Sequence, residues 1–220
     1  VGRMPAVGDL GGRTGADGAA VTLVGLGDIR AAADRIAGQV VRTPLLPCPW
    51  ADERRPLWLK PENLQPTGSF KMRGALNALG ALDAGVRARG VLTHSSGNHG
   101  RALAWAARVY GVPAVVVMPN ITPEIKVSAV RKLGATVVIE GDDFDDACAI
   151  AQRMAQEQNR VFIHPYDDPQ VITGQATIAL ELFRQNHRPI DYLFVCVGGG
   201  GLAAGMSLVS KYLHPGIKVI

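Results

Sequence analysis

The stretch YLFVCVGGGGLAAG, from Tyr192 to Gly205, decides the fold class of this sequence. A run of apolar residues precedes four consecutive glycines, and small apolar residues follow them. No charged residue occurs up to Ser210, a feature that a membrane span would share. However, four adjacent glycines would cost about 3–4 kcal/mol in a helix relative to alanine. The pattern therefore predicts a buried strand, a glycine loop and a helix rather than a membrane span.

The same alternation of strand and helix extends toward the N-terminus. Strands are predicted at 56–60, 91–94, 114–118, 136–140, 161–164, 192–197 and, as a beginning, 216–220. Helices are predicted at about 28–38, 69–81, 98–110, 123–134, from 142–143 onward, 173–185 and 201–213. Asp28 and Thr122 are expected to cap their helices. Apolar strands that alternate with helices predict an α/β protein whose parallel sheets are covered by helices on both faces.

The composition is that of a folded chain and argues against a nucleic-acid partner. Of 220 residues, 47% are hydrophobic and 19% are charged, which excludes a disordered chain. The net charge of +4 is scattered and only 5% of residues are aromatic, which argues against nucleic acid. Cys48, Cys148 and Cys196 show no metal-ligand spacing and no pairing pattern. Their arrangement favours a reducing, cytoplasmic location without disulfides or structural zinc.

The two ends of the sequence differ from the complete α/β pattern between them. Residues 1–22 are rich in glycine and lack a continuous apolar core, so they are predicted to form a flexible tail without a targeting segment. At the other end, GIKVI (Gly216–Ile220) starts another strand pattern and the sequence stops inside it. A C-terminal portion is therefore expected to be missing.

Three loops are each predicted to follow a strand and to open a helix, where open α/β sheets bind their ligands. In PTGSFKMRG (66–74), Lys71 lies in the first turn of a helix. The positive potential there lowers the pKa of an amine and favours the neutral form that a Schiff base requires, although a lone lysine is more often simply solvated. THSSGNHG (93–100) collects hydroxyls, an amide and backbone N–H groups that suit a carboxylate, although it also fits a plain capped turn.

The third loop, VCVGGGGLAAG (195–205), allows several backbone N–H groups to converge on a phosphate. It is not a Walker loop, because no Lys-Ser/Thr pair follows the last glycine. Gly198, Gly200 and Ala203 also fit a dinucleotide fingerprint, but the acidic residue expected about 20 positions later is lacking. A dinucleotide-dependent oxidoreductase stays open on these glycines, although it leaves Lys71 and the polar loop unexplained.

Four strings occur in order: KPENLQPTGSFKMRGA, THSSGNHG, PYDDPQVITGQATIALE and VGGGGLAAG. With them, the sequence from Ile29 to Ile220 resembles the fold-type II pyridoxal-phosphate enzymes, which are tryptophan synthase β-like. Within these it is similar to the threonine/serine dehydratase and serine racemase group. The resemblance implies two lobes with parallel-rich open sheets covered by helices. The large lobe would comprise 23–89 and 159–220, incomplete at the C-terminus, and the small inserted lobe 90–158.

The resemblance also implies roles for individual residues. Lys71 would form the Schiff base with pyridoxal 5′-phosphate and act as the base at the substrate α-carbon. Phe70 would pack beside the cofactor ring, and Asn98 would hydrogen-bond its 3′-oxygen. The cofactor phosphate would be bound by Gly198, Gly199, Gly200, Gly201 and Leu202. The substrate carboxylate would be held by Ser95, Ser96, Asn98 and His99.

Two departures from the family pattern, Ala176 for a usual glycine and Cys196 for a common proline, do not touch this chemistry. The contact to the pyridine nitrogen, and the ligands of the divalent cation found in some members, would lie beyond Ile220. No metal ligand is therefore assigned within the sequence. The resemblance further implies a homodimer or higher homo-oligomer, with a small amino acid as substrate and no membrane partner.

The expected activity is that of a threonine ammonia-lyase, as in isoleucine biosynthesis. It would convert L-threonine to 2-oxobutanoate and ammonia by β-elimination, with L-serine, converted to pyruvate, as a secondary substrate. The strings PYDDP and GDDFDDA resemble threonine dehydratases, whereas Ser96 resembles the racemase residue that protonates the opposite face of the α-carbon. The alternatives are a serine racemase or serine dehydratase, and a truncated relative without catalytic activity.

Overall fold

A computed structural model describes residues 24–186 and 188–220. The predicted flexible tail, residues 1–22, lies outside these residues. Eight helices are described: α1 Leu26–Arg35, α2 Lys71–Ala81, α3 Ala84–Ala88, α4 Asn98–Tyr110, α5 Glu124–Arg131, α6 Phe144–Glu157, α7 Pro169–Gln185 and α8 Gly201–Leu213. Eight strands are described: β1 Leu46–Pro47, β2 Trp58–Leu59, β3 Val91–His94, β4 Ala114–Met118, β5 Thr136–Ile139, β6 Val161–Phe162, β7 Tyr192–Leu193 and β8 Lys218–Val219. A short 3₁₀ helix covers Glu62–Leu64.

The central element is a four-stranded parallel sheet with the order β5-β4-β3-β6. β3 and β4 pair in register from Val91 opposite Ala114 to His94 opposite Val117. β7 and β8 form a second parallel pair, and β1 and β2 form a short antiparallel pair. The α/β class with largely parallel sheets is confirmed. The boundaries of the predicted inserted lobe stay a prediction, and β6, at 161–162, belongs to the same sheet as β3–β5.

Successive residues of the central strands point to opposite faces of the sheet, and each face is covered by helices. Val91, Val116 and Met118 pack with apolar residues of α2 and α4. On the opposite face, Leu92 and Val115 pack against α6. The α6 residues in this contact are Ala147, Ala151 and Ala155. Burial on both faces explains why β3 and β4 are apolar almost throughout, as parallel strands covered on both sides are.

Helices α2 and α7 cross with their backbones in close contact. A Cβ atom on Gly174 of α7 would lie 2.6 Å from the Cα of Gly74 and 2.6 Å from the carbonyl oxygen of Arg73. Only glycine leaves room for such an approach. The Gln175 side chain accepts a hydrogen bond from the Gly74 N–H at 3.1 Å. This crossing fixes the first turns of α2, the helix that begins with Lys71.

A buried ion cluster reinforces the same crossing. The Arg73 side chain, 0% exposed, donates to Glu62 at 2.7 and 2.9 Å and to Glu181 of α7 at 2.7 and 3.0 Å. Lys60 donates to Glu181 at 2.7 Å and to the Thr43 carbonyl at 2.7 Å. Although burial alone would raise the pKa of Glu181, hydrogen bonds from Arg73 and Lys60 lower it overall. The cluster therefore links α2 and α7 to Thr43, Lys60 and Glu62, which precede α2 in the sequence.

The structure corrects two predicted helix caps. α1 begins at Leu26 after Gly25, and Asp28 accepts the Gly25 N–H at 2.8 Å from inside the first turn. This is the reciprocal half of a capping box rather than the cap itself. α5 begins after Pro123, so Thr122 is not its cap. The Thr122 N–H instead donates to the Pro119 carbonyl at 2.9 Å in the preceding turn.

The loop before α2 also differs from the prediction, because it follows the 3₁₀ helix Glu62–Leu64 rather than a strand. The other two predicted loops do follow strands, β3 and β7, and open α4 and α8. Several predicted strands are shorter than expected: β2, β6, β7 and β8 each contain two residues. Each of these strands pairs with its neighbour over two residues, and the strand ends where this pairing stops.

Candidate active site

Lys71 is the first residue of α2, and its side chain is partly buried. The Nζ atom donates a hydrogen bond to the carbonyl oxygen of Pro165 at 2.6 Å. It also lies 5.5 Å from the ring centre of Phe70 and 6.0 Å from that of Tyr166. Burial lowers the pKa of the Lys71 amine below its usual value of 10.5. A smaller cost of deprotonation favours the neutral amine, the form that reacts with a carbonyl group.

The turn that holds Lys71 is itself fixed by local hydrogen bonds. The Nδ1 atom of His164 accepts the backbone N–H groups of Tyr166 at 3.3 Å and Asp167 at 2.8 Å. Burial lowers the pKa of His164, which keeps the ring neutral and Nδ1 able to accept. Asp168 then caps α7 by accepting from the backbone of Gln170 at 2.7 Å. The position of the Pro165 carbonyl is therefore set by the turn that leads into α7.

The polar loop lies between β3 and α4. Ser95 is buried at the end of β3, and its Oγ accepts the Gly97 N–H at 3.2 Å. α4 begins at Asn98 without a side-chain cap at Gly97. The first backbone N–H groups of this helix are thus available to an anion. This geometry suits a carboxylate, and binding of one by the loop stays a prediction.

His99, in the first turn of α4, is 2% exposed. Neither of its ring nitrogens has a hydrogen-bond partner within 24–186 and 188–220. Burial, with a smaller contribution from the Lys71 charge, lowers the pKa of His99 to about 3. The ring is therefore neutral at physiological pH. A neutral imidazole with such a low pKa is a weak proton acceptor, so its contribution to the site is a polar surface.

The glycine loop precedes α8, and its glycines differ in what requires them. Gly200 adopts a φ of 88° at the N-cap of α8, a conformation that favours glycine. A Cβ on Gly199 would lie 2.2 Å from the Tyr166 ring, and one on Gly201 would lie 2.5 Å from the Tyr166 carbonyl oxygen. A Cβ on Gly198 would meet no heavy atom within 4 Å. Tyr166 thus positions the glycine loop next to Lys71.

Lys71, the polar loop and the glycine loop meet at one cavity of about 580 Å³. Its lining residues are Lys71, Ser95, Asn98, His99, Phe144, Pro165, Tyr166, Gly198 and Gly199. Six of the predicted site residues are therefore brought together. The other predicted residues, Phe70, Ser96, Gly200, Gly201 and Leu202, do not line the cavity.

Most of the predicted residues outside the lining stay next to it. Phe70 contacts Lys71, Ser96 follows Ser95, and Gly200 and Gly201 form the start of α8. Leu202 is different, because its side chain packs with the apolar cluster around α7 and α8. A role for Leu202 at a phosphate therefore rests on its backbone N–H in the first turn of α8.

Three lining residues, Phe144, Pro165 and Tyr166, are missed by reasoning from the sequence. Their strings, GDDFDDA and PYDDP, indicate the family but predict no place in the site. Phe144 is the first residue of α6, and its ring meets that of His94 edge-on with 4.5 Å between centroids. An apolar side chain that directly follows a helix cap at a strand's carboxyl end is the signal that could have identified it.

The donor set fits pyridoxal phosphate. A partly buried amine with a lowered pKa suits an aldehyde, and the N-terminus of α8 behind a glycine loop suits a phosphate. Both groups line the same cavity, together with an uncapped α4 N-terminus that suits a carboxylate. A comparable set of metal ligands is not seen: within the described residues, no group of three or more His, Cys, Asp or Glu side chains could hold a metal ion. None of the helices in 24–186 and 188–220 has the length and apolar character that a bilayer crossing requires.

Comparison with known families shows that residues 36–220 match the family described as "Pyridoxal-phosphate dependent enzyme". The L-threonine dehydratase biosynthetic IlvA of Burkholderia multivorans is 48% identical over 170 residues, which cover 76% of this chain and 34% of that protein. The L-threonine ammonia-lyase of Thermotoga maritima is 46% identical over 164 residues, which cover 74% and 41%. The chain thus spans about a third to two fifths of the length of these relatives.

Solved structures show the same relationship. The serine racemase from Dictyostelium discoideum superposes with a TM-score of 0.83 at 42% identity, over 89% of this chain and 64% of that one. The processed form of threonine deaminase isoform 2 from Solanum lycopersicum superposes with a TM-score of 0.81 at 38% identity, over 88% and 53%.

Proposed function

This chain belongs to the pyridoxal-phosphate dependent enzymes, in the threonine/serine dehydratase and serine racemase group, and from that membership we propose that its protein is a threonine ammonia-lyase. The proposed reaction converts L-threonine to 2-oxobutanoate and ammonia, with one water eliminated and one consumed. L-Serine would give pyruvate in the same way. The observation that carries the proposal is the partly buried Lys71 amine, which shares one cavity with the polar loop and the glycine loop.

Pyridoxal phosphate, when bound, supplies the electron sink that makes the α-proton of an amino acid acidic. The protein residues supply binding and proton transfer. Lys71 would hold the cofactor covalently and take the α-proton, for which a neutral amine is required. The glycine loop, Gly198–Gly201, and the N–H of Leu202 would bind the phosphate, with the dipole of α8 adding positive potential.

The substrate would be oriented by the α4 N-terminus. Backbone N–H groups around Ser95, Ser96, Asn98 and His99 would hold its carboxylate, which fixes the α-carbon next to Lys71. Asn98 would also donate to the 3′-oxygen of the cofactor, and Phe70 would pack beside its ring.

Serine racemisation is the second candidate, and Ser96 favours it. Racemisation requires an acid on the face of the α-carbon opposite Lys71, and the Ser96 hydroxyl is the group that the polar loop offers. We also propose the two-lobe arrangement with 90–158 inserted, a homodimeric or higher assembly and a cytoplasmic location. A divalent cation is not proposed for the described residues.

The proposed function is tested by replacing Lys71 in the full natural protein loaded with cofactor. We expect Lys71→Ala to lower keto-acid formation from L-threonine at least about 100-fold, because both the covalent anchor and the base are lost. The matched control is Lys126→Ala, which removes an exposed lysine from α5 and should leave the rate unchanged. Circular dichroism checks that both variants fold. Undiminished keto-acid formation by Lys71→Ala would refute the assignment.

A further inference from the structure

We propose that the Phe144 ring forms an apolar wall of the cavity. This wall contacts the substituent on the β-carbon of the substrate, and the contact favours threonine over serine. This inference rests on the proposed function and identifies the residue that sets its substrate preference. The two amino acids differ by one methyl group on the β-carbon. An apolar surface in contact with that carbon gains from the methyl group, whereas a polar or open surface does not.

Phe144 is placed at the cavity by a rigid support. Asp143 caps α6 by accepting the N–H groups of Asp145 and Asp146, both at 2.9 Å. α6 is held on the central sheet by its buried alanines, among them Ala147. The Phe144 ring then rests edge-on upon the buried His94 ring, with 4.5 Å between centroids. The position of the ring is therefore determined by β3 and α6 rather than by a free loop.

The ring is nevertheless 43% exposed, and it lines the cavity. A phenylalanine in the first turn of a well-packed helix leaves apolar surface open to water, which is unfavourable until something covers it. A substrate side chain that enters the cavity would cover part of this surface. The open ring is thus a place where apolar contact with a ligand contributes free energy.

The other apolar lining residues are already engaged on the lysine side of the cavity. The Pro165 carbonyl oxygen accepts a hydrogen bond from Lys71 Nζ at 2.6 Å, which places Pro165 on the lysine side. The Tyr166 ring covers Gly199, where a Cβ would lie 2.2 Å from it. The remaining lining residues, Ser95, Asn98 and His99, are polar. Phe144 is therefore the apolar lining residue that stands beside the polar loop and away from the Lys71 contacts.

This position suits the β-carbon of a bound amino acid. With its carboxylate at the α4 N-terminus and its α-carbon next to Lys71, the substrate places its side chain beside the loop that holds the carboxylate. Phe144 packs on His94, the residue directly before Ser95 in that loop. One methyl group in an apolar pocket changes kcat/KM by about 10–200-fold. Because the wall is half open, we expect the lower part of that range.

The first test measures kcat/KM for L-threonine and L-serine with the full natural holoenzyme. Phe144→Ala should lower the threonine-to-serine ratio of kcat/KM at least about fivefold, whereas Phe144→Leu, which keeps an apolar wall, should change it less than about twofold. The matched control is Ile121→Ala, an exposed apolar residue (77%) outside the cavity lining, which should not change the ratio. An unchanged ratio in Phe144→Ala would overturn the proposal, as would an equal decrease in Phe144→Leu.

The second test does not depend on turnover. L-2-Aminobutyrate and L-alanine differ by the same β-methyl group and carry no hydroxyl to eliminate. Titration calorimetry should show that the wild type binds aminobutyrate more tightly and that Phe144→Ala reduces this preference at least about threefold. If Phe144→Ala retains the preference for aminobutyrate over alanine, the proposed contact between Phe144 and the β-substituent is refuted. A wild type that deaminates neither hydroxy amino acid yet keeps the methyl preference would instead contradict the proposed function alone.

Discussion

The aromatic ring of Tyr166 lies against the backbone of Gly199, so close that a Cβ on this glycine would stand 2.2 Å from the ring. A phosphate-binding role alone would require glycine here for the sake of a ligand. The contact gives a second reason, because the protein's own side chain fills the space. Tyr166 also belongs to the turn whose Pro165 carbonyl binds Lys71. The pair therefore links the lysine to the glycine loop.

We predict that Gly199→Ala destabilises the protein through Tyr166. Insertion of a methyl group into this contact should lower the free energy of unfolding by about 1–3 kcal/mol. In a Tyr166→Ala background the space is free, and the same change should cost less than about 0.5 kcal/mol. Urea denaturation of the four proteins measures this double-mutant cycle. Equal losses in both backgrounds would show that the ring is not the obstacle. Gly85→Ala, where a Cβ meets no heavy atom within 4 Å, is the control.

Arg73 should be among the most sensitive polar positions. Arg73→Met leaves Glu62 without its cation and Glu181 with Lys60 alone, and an uncompensated buried charge costs about 3–5 kcal/mol. Arg153→Met is the matched control. Arg153 is 61% exposed and 3.8–3.9 Å from two glutamates, so its loss should cost less than about 1 kcal/mol. Chemical denaturation compares the two, and similar small losses would contradict the role assigned to the cluster.

His94 should contribute to sensitivity toward acid. Burial, with a smaller effect of the His164 charge, lowers the pKa of His94 from 6.5 to about 4. Between these pH values the unfolded chain binds a proton that the folded chain does not, so the free energy of unfolding falls as the pH drops from 6.5 toward 4. We predict that His94→Phe reduces this loss, measured by urea denaturation at pH 7 and pH 5.

The same substitution should not harm the protein at pH 7. Neither ring nitrogen of His94 has a hydrogen-bond partner in the described part of the chain, and its ring already stacks on Phe162 at 5.9 Å. An apolar ring therefore loses no hydrogen bond there. A steeper loss of stability in His94→Phe would contradict the argument.

Ser96→Ala should separate the lyase from the racemase. Elimination requires proton removal by Lys71 on one face, whereas racemisation also requires an acid on the opposite face. In the full natural protein, the variant should lower serine racemisation at least about tenfold, or about 1.4 kcal/mol in the barrier, and threonine deamination by less. Chiral chromatography and keto-acid assay measure the two. Equal losses would indicate that Ser96 acts in substrate binding instead.

The sequence predicts those elements whose signals are local. β3, β4, α4 and α8 have the predicted bounds, because apolar runs and glycines delimit them within a few residues. The ends of β6 and β7 could not be predicted in the same way. Their apolar runs continue, but their strand pairing stops after two residues, and pairing depends on a neighbour distant in sequence.

The residues of the candidate site likewise fall into those that local sequence signals predict and those that depend on contacts distant in sequence. Lys71, Asn98 and Gly198 stand in loop strings that predict a binding site from their residue types, and all three line one cavity. Phe144 and Tyr166 do not, because their contribution arises from contacts with His94 and Gly199 across the fold. No periodicity or spacing encodes such contacts. They follow only from the way α6 and the turn before α7 dock on the sheet.

The hydrogen bond between Lys71 and Pro165 has a consequence for newly made chains. Its partners are 94 residues apart in sequence. At about 5–20 residues per second, roughly 5–20 s separate the synthesis of the amine from that of its acceptor. During this interval the lysine lacks the burial that lowers its pKa, so it stays protonated like any surface lysine. Carbonyl metabolites in the surroundings therefore meet an amine that is almost entirely protonated, and so less reactive, until the second half of the site has been synthesised.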